Sequence, residues 1–126
     1  MKKKILIVED EPILSDLLFQ FLDEEGFEVK MAQTAEEGIK RAKEFFPDLI
    51  LLDILLPGKS GYEFLLEIKK DEKLSLVPVI VLSNLGQEEE IQKSLSLGAK
   101  EHLIKANLTL EEIVKKVKEI IGQEKS

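Results

Sequence analysis

Apolar residues in this chain follow two rhythms that take turns. Continuous runs such as Ile5-Leu6-Ile7-Val8, Leu49-Ile50-Leu51-Leu52 and Val79-Ile80-Val81-Leu82 alternate with longer stretches in which apolar positions recur every three or four residues. Short runs suit strands covered on both faces, and the spaced pattern suits amphipathic helices. The alternation predicts strands at Ile5 to Glu9, Glu28 to Ala32, Asp48 to Asp53, Val77 to Ser83 and Glu101 to Lys105, each followed by a helix. The first helix opens at Pro12, carries a stripe of Ile13, Leu14, Leu17, Leu18, Phe21 and Leu22, and stops at Gly26. Thr34 to Glu37 and Thr109 to Glu112 read as capping boxes. The helices they open are predicted to bury Ile39, Ala42 and Phe46 in one case and Ile113, Val114, Val117 and Ile121 in the other. A third helix starts near Ser60-Gly61 and buries Phe64, Leu65 and Ile68. The fourth, Gln87 to Leu97, is the weakest, because only Ile91, Leu95 and Leu97 are apolar and Ser94 and Ser96 lower its propensity.

The polar pattern orders the strands. The second alternates Phe27, Val29 and Met31 with Glu28 and Lys30, and the fifth surrounds Leu103-Ile104 with Lys100, Glu101, His102 and Lys105, so both belong at edges. Right-handed crossovers then allow the order 2-1-3-4-5, an α/β, doubly wound, five-stranded parallel sheet of the flavodoxin-like kind, flanked by five helices. Ligands in such sheets bind beyond the carboxyl ends of the strands where the winding reverses, here between the first and third.

That place is acidic. Glu9 and Asp10 close the first strand and Asp53 closes the third. Carboxylates brought together repel by about 4 kcal/mol per close pair at an effective dielectric near 20, so a cation belongs among them. A hard ion such as Mg2+, which takes oxygen ligands and is commonly paired with phosphoryl groups, fits that need. Capping alone accounts for Asp10 before Glu11-Pro12, but not for Glu9 and Asp53 converging with it. Asp48 and Glu11 read as solvated charges.

Composition narrows the rest. A chain of 126 residues suits one domain, residues 1-122, with a frayed tail at 123-126. A formal charge of -7 opposes direct binding to nucleic acid or anionic membranes. Met1-Lys2-Lys3-Lys4 imitates the start of a signal peptide, but the apolar stretch after it ends at Glu9, and the expected location is cytoplasmic. With no Cys, thiolate ligands, Cys nucleophiles and disulfides are excluded. No Gly-x-x-x-x-Gly-Lys-Ser/Thr or Gly-x-Gly-x-x-Gly occurs to support nucleotide binding.

Five separated features now stand in order along almost the whole chain: Ile5 through Glu11, Leu51-Leu52-Asp53 through Pro57-Gly58, Gly61, Val79 through Ser83, and Gly98-Ala99 with Leu103-Ile104-Lys105. Together they resemble the receiver domain of response regulators, a family that transfers a phosphoryl group from a sensor histidine kinase to an aspartate. The resemblance implies that Asp53 is the phosphorylated nucleophile. It implies that Asp10 binds Mg2+ directly with Asp53, that Glu9 holds it through water, and that the Leu55 backbone carbonyl supplies a further oxygen. Lys105 would neutralise a phosphoryl oxygen and Ser83 would donate a hydroxyl hydrogen bond to it.

Three positions depart from the family pattern. His102 stands where Tyr or Phe usually acts as a rotating switch coupled to the hydroxyl residue, and an imidazole titrates in mild acid where those rings do not. The competing reading is an edge-strand residue half exposed to water. A lone His without Cys or a second His does not make a metal site. Ala106 replaces the usual Pro after the lysine, and Asn84 replaces a small residue.

The function expected is a stand-alone phospho-acceptor in two-component signalling, without multiple turnover but with possible autodephosphorylation. Its partners would be a sensor histidine kinase or histidine phosphotransfer protein, and a downstream protein met through the fourth helix, fifth strand and fifth helix. Two alternatives are a Mg2+-dependent phosphohydrolase, which usually wants a second acid where Leu55 stands, and a phosphorylation-independent adaptor.

Overall fold

The computed structural model describes residues 2–124. Five parallel strands, β1 (Lys4–Val8), β2 (Glu28–Ala32), β3 (Leu49–Leu52), β4 (Val79–Ser83) and β5 (Glu101–Ile104), form one sheet in the order β2-β1-β3-β4-β5. The helices between and after them are α1 (Pro12–Glu24), α2 (Ala35–Phe45), α3 (Gly61–Lys70), α4 (Glu88–Ser96) and α5 (Leu110–Glu124). Doubly wound architecture and strand order are as the apolar pattern predicts. The strands end before their acids: Glu9 and Asp53 lie just beyond β1 and β3, in the loops at the carboxyl edge.

Alternate residues of the central strands feed two apolar layers. Ile5, Ile7, Leu49, Leu51, Ile80 and Leu82 face α1 and α5, meeting Leu18, Leu22, Val117 and Ile121. Leu6, Val8, Ile50, Leu52, Val79 and Val81 face the other side, meeting Ala35, Ala42, Phe64, Leu65 and Ile68. Burial on both faces explains why these strands read as unbroken apolar runs. β5 differs, each of its residues being only half-buried.

Several packing expectations are corrected. In α1 the stripe splits: Leu18 and Leu22 are buried, whereas Ile13 is 77% exposed and Leu17 lies at the surface, because the buried face runs through Ser15 instead. Phe46 is half exposed, since it leaves α2 as a left-handed cap with φ 51°. In α4 none of the apolar residues is fully buried; Ser94 is. The Thr109 box forms in both directions, and Ser60 and Glu63 form another. At α2 Thr34 caps Glu37, but the Glu37 carboxylate returns to the Gln33 N–H. Asp48 is not a free charge: its carboxylate accepts the Lys4 N–H at 2.7 Å, tying β3 to β1. Helix α5 spans Leu110–Glu124, and of the tail expected at 123-126, residues 125–126 lie outside the described residues.

Candidate phosphoryl and metal site

Parallel pairing places the site. Val8 lies beside Leu52, and the Asp53 N–H donates to the Val8 carbonyl at 2.9 Å, so the residues that follow β1 and β3 emerge side by side. The Glu9 N–H donates to Ala32 of β2, which fixes its backbone. Glu9 is 3% exposed and Asp53 4%, while Asp10 is half-buried. One carboxylate oxygen from each of the three lies within 4.8 Å of the others.

Lys105, just past β5, reaches across the carboxyl edge of β4 to this cluster. Its ammonium stands 2.8 Å from Glu9 Oε1, 3.0 Å from Glu11 Oε1 and 3.2 Å from Asp53 Oδ2. The lysine opens a short 3-10 turn, Lys105–Asn107, and no described peptide bond is cis, so Ala106 follows it in trans. The free oxygens are held by backbone: Glu11 N–H donates to Glu9 Oε2 at 3.1 Å and Leu55 N–H to Asp53 Oδ1 at 3.3 Å.

Burial pushes the Glu9 carboxyl from its ordinary 4.5 up to about 7; the hydrogen bonds from Lys105 and the Glu11 N–H oppose this, and the charge of Asp53 reinforces it. For Lys105, burial acts to weaken the ammonium. The bonds to Glu9 and Glu11 and the field of Asp53 outweigh it and hold the ammonium above the usual lysine range. One ammonium therefore faces more negative charge than it balances. A buried carboxyl whose ionisation is suppressed beside two further acids is the signature of a place built for more positive charge. Three acid oxygens at this spacing fit a hard divalent ion, with Glu9, Asp10 and Asp53 as the residues to hold it.

The loop after β3 shapes the rim. Gly61 donates its N–H to the Ile54 carbonyl at 2.9 Å, and a Cβ there would fall onto the Asp53 carbonyl oxygen and the Ile54 backbone. Gly58 takes φ +76°, a left-handed turn that glycine adopts without strain. Leu55 stands exposed in this loop.

The edge where the winding reverses thus carries three clustered acids and one lysine that follows the last strand. The sequence of the chain matches the family model for the response regulator receiver domain over residues 5–118. The chain belongs to the response regulator receiver family. This receiver is 37% identical to the phosphate regulon transcriptional regulatory protein PhoB of Rhizobium meliloti, a match covering 99% of the chain and 55% of that protein. It spans about half the length of the curated relatives it matches. Among solved structures, a CheY-like receiver protein from Methanospirillum hungatei superposes with TM-score 0.91 at 31% identity, covering 99% of this chain and 98% of that one. CheY of Borrelia burgdorferi, crystallised as a CheX-CheY-BeF3-Mg complex, superposes with TM-score 0.85 at 28% identity over 94% of this chain and 88% of its own. The receiver's role is in two-component signalling, and no described helix is long and apolar enough to cross a membrane.

Of the residues singled out from sequence, the structure gathers Glu9, Asp10, Asp53 and Lys105, with Leu55 touching the cluster through its N–H. Ser83 is fully buried at the end of β4, where its hydroxyl accepts the Leu85 N–H at 3.2 Å. His102 lies apart from the acids, its ring nitrogens 2.7 Å from Ser94 Oγ and from the Leu85 carbonyl. Glu11, read from sequence as a solvated charge, instead pairs with Lys105; it sits 94 residues away in sequence, and only the fold brings them together.

Proposed function

We propose that this receiver takes a phosphoryl group on Asp53 from a phosphohistidine of a sensor kinase or phosphotransfer protein, with Mg2+ bound by Glu9, Asp10 and Asp53. The observation that carries the reading is the buried Asp53 carboxylate, 3.2 Å from the Lys105 ammonium and clustered with two further acids. In the transfer an Asp53 oxygen forms the new O–P bond as the N–P bond of the donor breaks, and the electron pair leaves with the imidazole. Mg2+ would offset charge on the phosphoryl oxygens. Lys105 supplies a fixed positive charge beside the nucleophile, and Ser83, at the adjoining strand end, has a hydroxyl proton to offer a phosphoryl oxygen. The complex recorded for Borrelia CheY, with BeF3 and Mg, supports the same pairing of metal and phosphoryl-like group here.

The product is an acyl phosphate that adds about -1.5 to -2 charge to a pocket already rich in acid. Signal output then passes through protein contacts at α4, β5 and α5, next to Ser83 and Lys105, rather than through repeated turnover. Leu55, where a phosphohydrolase would want a second acid, is an exposed apolar residue and favours the acceptor role. The test is incubation with Mg2+ and acetyl phosphate followed by intact mass. One phosphoryl group is expected on the wild type and none on Asp53→Ala; no gain on the wild type would overturn the proposal.

A further inference from the structure

The chain has no cysteine, so its most readily oxidised groups are its two thioethers, and of these Met31 stands among the described residues. Met31 sits on the edge strand β2, opposite Ile7 of β1, and is partly buried against the apolar layer that α1 covers. It also lines a surface cavity of about 220 Å³ whose other walls come from Pro12, Ser15 and Asp16 of α1 and from Gln33 and Glu37. The side chain is thus packed on one side and open to small molecules on the other.

Ser15 faces the sulfur from the helix. Ser94 and Ser96 give their hydroxyl protons to carbonyls of their own helix, those of Ile91 and Lys93. The Ser15 hydroxyl instead donates to Met31 Sδ at 3.2 Å, although Ser15 is 6% exposed and a thioether is a weak acceptor. A buried donor on a weak acceptor gains from a stronger one, and a sulfoxide oxygen on the same sulfur is such an acceptor. The unbranched methionine chain has the torsional freedom to bring that oxygen round. Asp16 and Glu37 make the cavity wall acidic, which favours an uncharged reagent over an anionic one.

We propose that Met31 is an oxidation site for hydroperoxides: in the folded protein its thioether becomes a sulfoxide, with the Ser15 hydroxyl assisting the oxygen transfer and then holding the product. A lone pair of Sδ attacks a peroxide oxygen, and the S–O bond forms as the O–O bond breaks. The departing hydroxide takes the proton left on the transferred oxygen and leaves as water. Sulfur gives up two electrons, and the peroxide is reduced. Negative charge builds on the oxygens as the O–O bond opens, and the Ser15 hydroxyl, 3.2 Å from the reacting sulfur, has a proton to stabilise it. The consequence reaches β1. Ala32, the residue after Met31, holds the Glu9 N–H at 2.9 Å. A polar oxygen set into the seam between α1 and β2 disrupts its packing, so oxidation loosens the backbone bond that fixes Glu9. None of this depends on phosphoryl transfer to Asp53.

The test exposes the folded wild type, Met31→Leu and Ser15→Ala to hydrogen peroxide beside N-acetylmethionine amide in the same tube. Catalase ends the reaction, and peptide mass assigns each added oxygen to Met1 or Met31. Wild-type Met31 should oxidise at a rate within about tenfold of the free amide while circular dichroism stays native. A slower rate than that, or oxidation only after unfolding, would overturn the site. Ser15→Ala should oxidise several-fold more slowly than wild type. A merely accessible sulfur predicts the opposite, since this variant frees the sulfur lone pair and widens the cavity; an equal or faster rate would remove Ser15 from the reaction. Amide hydrogen exchange then reads the seam. The Glu9 amide should exchange several-fold faster in the oxidised wild type than in peroxide-treated Met31→Leu. Equal rates in the two would overturn the coupling from Met31 to Glu9.

Discussion

The Lys105 ammonium lies nearer to Glu9, at 2.8 Å, than to Asp53, at 3.2 Å. In the resting molecule the lysine is thus chiefly the partner of a buried acid on β1's trailing loop. Under the proposed function, a phosphoryl group on Asp53 would have to compete with Glu9 for it.

Lys105→Ala removes the cation from two buried carboxylates, and breaking a buried pair typically costs about 3–5 kcal/mol. The side chain is 10% exposed, so water softens the loss and a cost of about 2–3 kcal/mol is expected, leaving the protein folded. Urea unfolding without metal should show it, and Mg2+ should restore much of the difference by resupplying positive charge. Equal midpoints for wild type and variant without metal would mean that the lysine contributes nothing at rest.

Glu9 sets the pH response of the metal-free protein. Its pKa is raised on folding, from 4.5 to about 7, so between those values the folded state binds more protons than the unfolded one and stability falls as pH rises. Glu9→Gln should flatten the slope between pH 4.5 and 7, read by denaturant titrations at several pH values. An unchanged slope would assign it to another group. Lys105 acts at the other end of the scale: its raised pKa adds stability that is complete below about 10.5 and is lost above it.

Mg2+ should raise the melting temperature of the wild type, since a ligand of the folded state adds RT ln(1 + [L]/Kd). Asp10→Ala should lose most of that gain. Asp53→Asn should be more stable than wild type without metal, because it relieves repulsion within the cluster. Binding should also weaken below about pH 7 as Glu9 takes up a proton, visible in calorimetry as proton release to buffer. A full Mg2+ shift in Asp10→Ala would remove that residue from the site.

Gly61→Ala tests the wall of the pocket. Its methyl would meet the Asp53 carbonyl oxygen and the Ile54 backbone, neither of which yields cheaply. A loss of about 2 kcal/mol or more is expected, with slower phosphorylation as Asp53 is displaced. Gly122→Ala, with open space around its Cβ inside α5, is the control and should be neutral or slightly stabilising.

The strands and their order were legible because burial on both faces leaves an unmistakable run of apolar residues, and the acids Glu9, Asp10 and Asp53 stood at the ends of those runs. Helix faces were less legible. Ile13 and Leu17 continue an apolar stripe that faces water, whereas Ser15 and Ser94, polar by type, are the ones turned inward. Nothing local marks such serines, since their burial depends on partners distant in sequence: Met31 sulfur for Ser15 and His102 for Ser94. Glu11 escaped for a similar reason, its lysine arriving only with the last strand.

That lysine hangs from the sheet's outer seam. The central strands are sealed on both sides, but β5 is half-buried along its whole length and pairs with β4 alone, as an edge that opens more readily than the middle. Whenever the seam parts, the pocket loses the one counter-charge it holds among the described residues, and Glu9 and Asp53 face one another bare. Fraying at a margin of the molecule would thereby be converted into a change of voltage at the Asp53 carboxylate, and under the proposed function a partner that grips β5 would have a hand on the chemistry without touching it.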